Sequence, residues 1–119
     1  MDTGLPVFIQ IQAIIENDII NGIYNVDDLI ISTTQISRVY NVNPSTAVKA
    51  ISRLTEDGIL YKRPGIGMCV AEGARKIIFE RRKKAFLENA LDEFLAEANR
   101  LNIPTDELIT LIKERIKND

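Results

Sequence analysis

The 119-residue sequence contains no histidine and only one cysteine. Without histidine the chain lacks the commonest metal ligand and the commonest general base. A single cysteine excludes an internal disulfide framework. Also missing are a G-x-S-x-G elbow, a P-loop and a dinucleotide fingerprint. Carboxylates do occur in pairs, at Asp27-Asp28, Glu56-Asp57 and Asp92-Glu93. Each pair is adjacent in sequence, in a turn or on a helix surface, where solvated charge accounts for it. The residues therefore point to no catalytic site, no metal site and no cofactor. No apolar run approaches the roughly 18 residues that a membrane span requires. The opening MDTGLPVF lacks the basic n-region of a signal peptide. A cytoplasmic protein with no membrane partner is expected.

What the chain does have is an uneven distribution of charge. The formal net charge is −2 and the pI is near 5.2, which argues at first against a polyanionic partner. Residues 1–31, however, carry five acids and no base. Residues 32–84 carry eleven bases against four acids, and residues 85–119 carry eight acids against four bases. A basic middle between acidic ends is a local electrostatic footprint, and a polyanion responds to that footprint more than to the global total.

The apolar pattern divides the chain into elements. Residues 6–21 predict a first helix, opened by Pro6, with Phe8, Ile11, Ile15 and Ile19 at helical spacing and Gly22 just past its end. Leu29 to Ile31 reads as a minimal strand. Ser32 or Thr33 caps a second helix to about Tyr40, with Ile36 and either Val39 or Tyr40 turned inward. A third helix runs from Pro44 to about Asp57 and stops at Gly58. The period then changes from 3.6 to 2: residues 59–62 and 68–71 predict two strands joined by the glycine-bearing loop 63–67. From Ala74 the chain is helical again, with an apolar stripe at Leu87, Leu91, Phe94, Ala98 and Leu101. Pro104 or Thr105 opens a last helix whose inner side is Leu108, Leu111, Ile112 and Ile116.

Three helices followed by a two-stranded hairpin is the order of a winged helix-turn-helix. The fold class expected is mainly α with a small β-hairpin: a winged helix-turn-helix over residues 1–73, then a two-helix tail over 74–119. In such a module the second of the paired helices enters the DNA major groove with its N-terminal residues leading. The stretch NPSTAVKAISRL, residues 43–54, fits that role. Asn43 suits an N-cap and Pro44 a first turn, while Ser45, Thr46 and Lys49 make a polar-to-basic edge beside Ala47, Ala50, Ile51 and Leu54. The candidate DNA-binding residues are Thr33, Thr34, Asn43, Ser45, Thr46, Lys49 and Arg53, with Lys62, Arg63, Gly65 and Gly67 from the wing. The run Arg81-Arg82-Lys83-Lys84 either extends the DNA footprint or, more commonly for such runs, is a solvated helix face, and Cys69 reads as a small core residue. Two tail helices cannot enclose much apolar surface alone, so Leu87, Leu91, Phe94, Ala98, Leu101, Leu108, Ile112 and Ile116 are expected to form a homodimer interface. The alternative is a winged-helix protein-interaction module that does not bind DNA.

The stretch from Pro6 to Ala71 also resembles the DNA-binding domain of the GntR family of bacterial transcription regulators. The matching segments are PVFIQI, Ile19 to Gly22, ISTTQIS, NVNPSTAVKAISRLTEDGIL and YKRPGIGMCV. Within that family, STTQIS, the GIGM wing and the short helical tail are similar to the YtrA-type subfamily. The sequence departs from the family pattern at Thr34, where an arginine is common, at Ile31, usually proline, and at Cys69, usually aromatic. The resemblance implies a dimeric, sequence-specific repressor of a nearby operon of transporter type, reading double-stranded DNA. It names no small-molecule effector.

Overall fold

The protein is described by a computed structural model covering residues 4–117. Two compact units divide the chain after Glu80.

The first unit is built on isoleucine. Helix α1 (Val7–Ile20) turns Ile11, Ile15 and Ile19 inward, and α2 (Thr33–Val39) contributes Ile36. Helix α3 (Pro44–Glu56) packs on both through Ala47, Ala50, Ile51 and Leu54. The two alanines, fully buried, allow its backbone close to its neighbours. Strands β1 (Leu60–Arg63) and β2 (Gly67–Val70) form an antiparallel hairpin in which Leu60 faces Val70 and Lys62 faces Met68. Ile59, Leu60, Val70, Ala74 and Ile78 close the core. The last two lie in α4 (Ala74–Ala85), so the start of this helix belongs to the first unit, whereas the sequence pattern begins the tail at residue 74.

Chain reversals account for the helix boundaries. Gly22, at φ 79°, and Gly58, at φ 80°, occupy the left-handed region that glycine adopts without a Cβ penalty. Each is followed by an N–H that reaches back to the helix: Ile23 to Asp18 at 2.9 Å and Ile59 to Leu54 at 2.9 Å. Asn41, at φ 52°, ends α2 in the same way, and the Val42 N–H donates to the Ser37 carbonyl at 3.1 Å. Because Ile59 is held by this cap, β1 starts one residue later than the pattern predicts, and both strands shift to 60–63 and 67–70. The expected minimal strand is a single bridge from Leu29 to Cys69, flanked by Ile30 N–H to Met68 carbonyl at 2.9 Å. Of the two residues proposed to turn inward at the end of α2, the structure selects Tyr40. Val39 is 65% exposed.

In the second unit, a π-helical segment (Phe86–Ala90) leads into α5 (Leu91–Arg100), and α6 (Thr105–Lys117) follows. Asn102, at φ 58°, closes α5, with the Ile103 N–H donating to the Ala98 carbonyl at 3.0 Å. Among the described residues of this unit, Ala98 is the only buried one.

Candidate nucleic-acid interface

Helix α2 begins with a reciprocal cap. The Ser32 hydroxyl accepts from the Gln35 N–H at 3.1 Å, and the Gln35 side-chain oxygen accepts from the Ser32 N–H at 3.0 Å. This fixes Thr33 and Thr34 in the first turn, Thr34 exposed and Thr33 half-buried. The turn into α3 is held from inside by the Ser37 hydroxyl, which donates to the Val42 carbonyl at 2.6 Å. Thr33, Thr34, Ser37, Arg38 and Pro44 line one recess of about 230 Å³, so the first turns of α2 and α3 open onto a common surface.

Asn43 stands at the N-cap of α3, yet its side chain makes no capping bond, contrary to expectation. Its backbone carbonyl does the work instead, accepting from the Thr46 N–H at 3.0 Å. Pro44 at the first position has no N–H to satisfy, which reduces the need for a side-chain cap. Beyond it the helix divides cleanly. Ala47, Ala50, Ile51 and Leu54 are buried, while Ser45, Val48, Lys49, Ser52 and Arg53 are exposed and Thr46 lies at the border.

The two cations of α3 share a support. The Lys49 ammonium sits 4.2 Å from the centre of the Phe8 ring, and the Arg53 guanidinium is 5.4 Å from it. Both are therefore drawn to the edge of α3 that faces the start of α1. The centre of the outward face is left to the row Ser45, Val48 and Ser52, at i, i+3 and i+7.

The wing separates its two basic residues, because successive strand residues point to opposite faces. Lys62 lines a groove of about 320 Å³ together with Thr33, Gln35, Ile51, Ile66 and Gly67. It thus joins the same surface as the start of α2. Arg63 turns the other way: it donates to the Tyr61 hydroxyl at 2.8 Å and lies 3.9 Å from the Asp27 carboxylate. The Tyr61 hydroxyl in turn donates to Asp27 at 2.7 Å. That hydrogen bond raises the Tyr61 hydroxyl above its usual value of 10.0, so the phenol keeps its proton. The bond to Tyr61 likewise raises Arg63. Gly65 and Gly67 shape the wing itself. Gly65 has φ 78°, and at Gly67, φ 139°, a Cβ would fall 2.9 Å from a Leu29 methyl.

Of the expected residues, Thr33 and Thr34 share one recess and Thr33 and Lys62 share the neighbouring groove; Arg38, Val48 and Ser52 were not among the expected residues. The last two were legible as the i+3 and i+7 neighbours of Ser45. The Asp27–Tyr61–Arg63 cluster joins residues 34 positions apart, and no local pattern announces it.

In the second unit, Phe94, Leu108, Leu111, Ile112, Arg115 and Ile116 surround an apolar groove of about 340 Å³. Leu87, Phe94, Leu101, Ile112 and Ile116 are exposed and Leu91 and Leu108 half-buried. Ala98, also in the expected interface set, is buried within its own chain.

Three packed helices, a capped turn and an antiparallel hairpin define a winged helix-turn-helix domain. The profile described as bacterial regulatory proteins, gntR family, matches residues 9–70, and the chain belongs to that family. It is a DNA-binding transcription regulator and not an enzyme. It is 25% identical over 112 residues to the HTH-type transcriptional repressor YtrA of Bacillus subtilis (strain 168), covering 94% of this chain and 85% of that one. A crystal structure of a GntR-family regulator from Bacteroides thetaiotaomicron is 30% identical, with a TM-score of 0.77 over 95% of this chain and 98% of that one. The AraR DNA-binding domain in complex with operator ORE1 is 31% identical, with a TM-score of 0.54 over 56% of this chain and 82% of that one. Among the described residues no helix is long and apolar enough to cross a membrane.

Proposed function

We propose that two copies of the chain associate through residues 81–119 and present two α3 helices to the half-sites of a palindromic operator, repressing a nearby operon of transporter type. The observation that carries this reading is the uncovered outward face of α3. It is anchored by four buried residues behind and opens onto the start of α2 and onto Lys62 of the wing. In this reading Ser45, Thr46 and Asn43 meet base edges, and Lys49 and Arg53 meet phosphates or guanine from the Phe8 edge. Thr33 and Thr34 hold the backbone through hydroxyls. Lys62, with the Gly65 and Gly67 backbone, follows the neighbouring strand, and Arg63 joins them once it leaves Asp27. The tail supplies pairing through Leu87, Leu91, Phe94, Leu101, Leu108, Ile112 and Ile116.

The names of relatives support the finer points: a repressor in YtrA, and an operator complex in the AraR domain. Selection of bound sequences from a random duplex pool tests the proposal, followed by sedimentation of the intact protein with and without the selected site. An inverted repeat with half-sites about one helical turn, ~34 Å, apart and a dimer at micromolar concentration are expected. A monomer, or a motif with no dyad, overturns the paired reading. Loss of expression control over the adjacent operon on deletion checks the repressor role.

A further inference from the structure

We infer that Val48 is a specificity-determining residue of the DNA interface and reads the 5-methyl group of a thymine in the major groove; this rests on the placement of α3 in the groove proposed above. Val48 is 51% exposed in a helix whose other aliphatic residues, Ala47, Ala50, Ile51 and Leu54, are all buried. Single exposed apolar residues are ordinary on protein surfaces. What sets Val48 apart is its place: it lies in the second turn from the end that leads into the groove, between Ser45 and Ser52 on the same face. A β-branched side chain gains nothing there in the monomer, since straight-chain residues hold an exposed helix position better.

The charges of the helix are elsewhere. Lys49 and Arg53 are drawn to the Phe8 edge, so the middle of the outward row offers two hydroxyls around one isopropyl group. Hydroxyls both donate and accept, and discriminate weakly among bases. An isopropyl group pressed on guanine N7 and O6 or on the cytosine amino group strips water from them and returns no hydrogen bond. The thymine methyl is the apolar feature of the major groove, and covering it costs no polar partner.

The test uses the intact protein and its pool-selected duplex, in which each thymine is replaced in turn by deoxyuridine. This exchange removes one methyl group and nothing else. One position per half-site should lose affinity by about fourfold, the factor that burying one methyl group supplies. In Val48→Ser the same exchange should have no effect, the selected motif should relax at that pair, and the salt slope should stay unchanged because no phosphate contact is lost. Circular dichroism and melting of Val48→Ser establish that the fold is retained. If no thymine position distinguishes native protein from Val48→Ser, while Ser45→Ala still alters the motif, this inference falls and the groove placement stands. If neither variant alters the motif, both fall.

Discussion

The two units of the chain treat apolar residues in opposite ways. In the first, Ile11, Ile15, Ile19, Ile36, Ile51, Leu54, Leu60 and Val70 from three helices and the hairpin enclose a core, while Val7, Ile9, Val39, Ile66 and Val48 are among the apolar residues left exposed around it. In the second, Phe94, Leu101, Ile109, Leu111, Ile112 and Ile116 are open to solvent, and among its described residues only Ala98 is buried. Both have helices of similar length, so the difference lies in layering. Three helices and a hairpin surround a volume, whereas α5 and α6 can bury little between them. The first unit encloses a core, and the second has an open apolar groove, which the pairing proposed above would cover.

The comparison breaks most visibly if the tail is made polar. Phe94→Glu with Ile112→Glu places charges in the groove, and a monomer is expected by sedimentation. Operator affinity should fall on the order of 10²–10⁴-fold, the gain that linking two half-site contacts supplies. The winged unit should keep its hairpin and weak, salt-dependent duplex binding. A double variant that remains dimeric would mean that another surface pairs the chains.

Next in size is an attack on the closed core. Leu54 is fully buried where α3 meets its neighbours. Leu54→Ala removes its methyls and leaves a cavity, costing about 2–5 kcal/mol by denaturant titration. Truncating an exposed tail residue, Ile116→Ala, should cost under about 0.5 kcal/mol in a monomeric background. Comparable losses at the two positions would show that the tail is as well packed as the winged unit.

The same contrast explains what the sequence disclosed. Every helix of the winged unit was legible, because isoleucine spacing and the stops at Gly22 and Gly58 agree with one another. Enclosure of a core also made the inward residues readable, and of the alternatives at the end of α2 it is Tyr40, not Val39, that packs against the core. The N-cap of α3 was located, but the use of Asn43 was not, since a backbone carbonyl can replace a side chain without changing the pattern. In the tail, the stripe was legible but its depth was not: periodicity places Ala98 on the same face as Phe94 and cannot say that one is buried and the other open. The direction of Lys49 and Arg63 was hidden for a further reason. Both are set by partners distant in sequence, Phe8 and Asp27.

Within the DNA-facing surface the expected effects are smaller. Lys49→Ala should lower affinity for the selected site by about 1–3 kcal/mol if the ammonium reaches a base, with relaxed preference at one or two pairs. If it meets only phosphate, all sequences should weaken alike and the slope of log K against log salt should flatten by about 0.9. Phe8→Leu separates its two supports. It removes the ring while keeping an apolar side chain, and should reproduce part of the Lys49→Ala loss. Binding unchanged by both variants would remove Lys49 from the interface.

The smallest effect carries the comparison down to two neighbouring residues of the wing. Lys62 opens onto the groove beside Thr33, whereas Arg63 is occupied by Tyr61 and Asp27. A guanidinium held by a carboxylate is partly neutralised, and DNA must displace that carboxylate before Arg63 can meet a phosphate. Asp27→Asn removes the competing charge. The position tolerates asparagine well, because Asp27 has φ 70° and asparagine enters the left-handed region readily. Affinity for duplexes of any sequence should rise a few-fold, and the salt slope should steepen by up to about 0.9, one further phosphate contact. The raised Tyr61 keeps its proton through the neutral range, so its hydrogen bond to Asp27 persists there and the difference between native and Asp27→Asn should not vary with pH near neutrality. The sequence motif should not change, since a phosphate contact carries no base information. A slope identical to that of the native protein would show that Arg63 stays with the wing even on DNA, leaving Lys62 to hold the backbone alone.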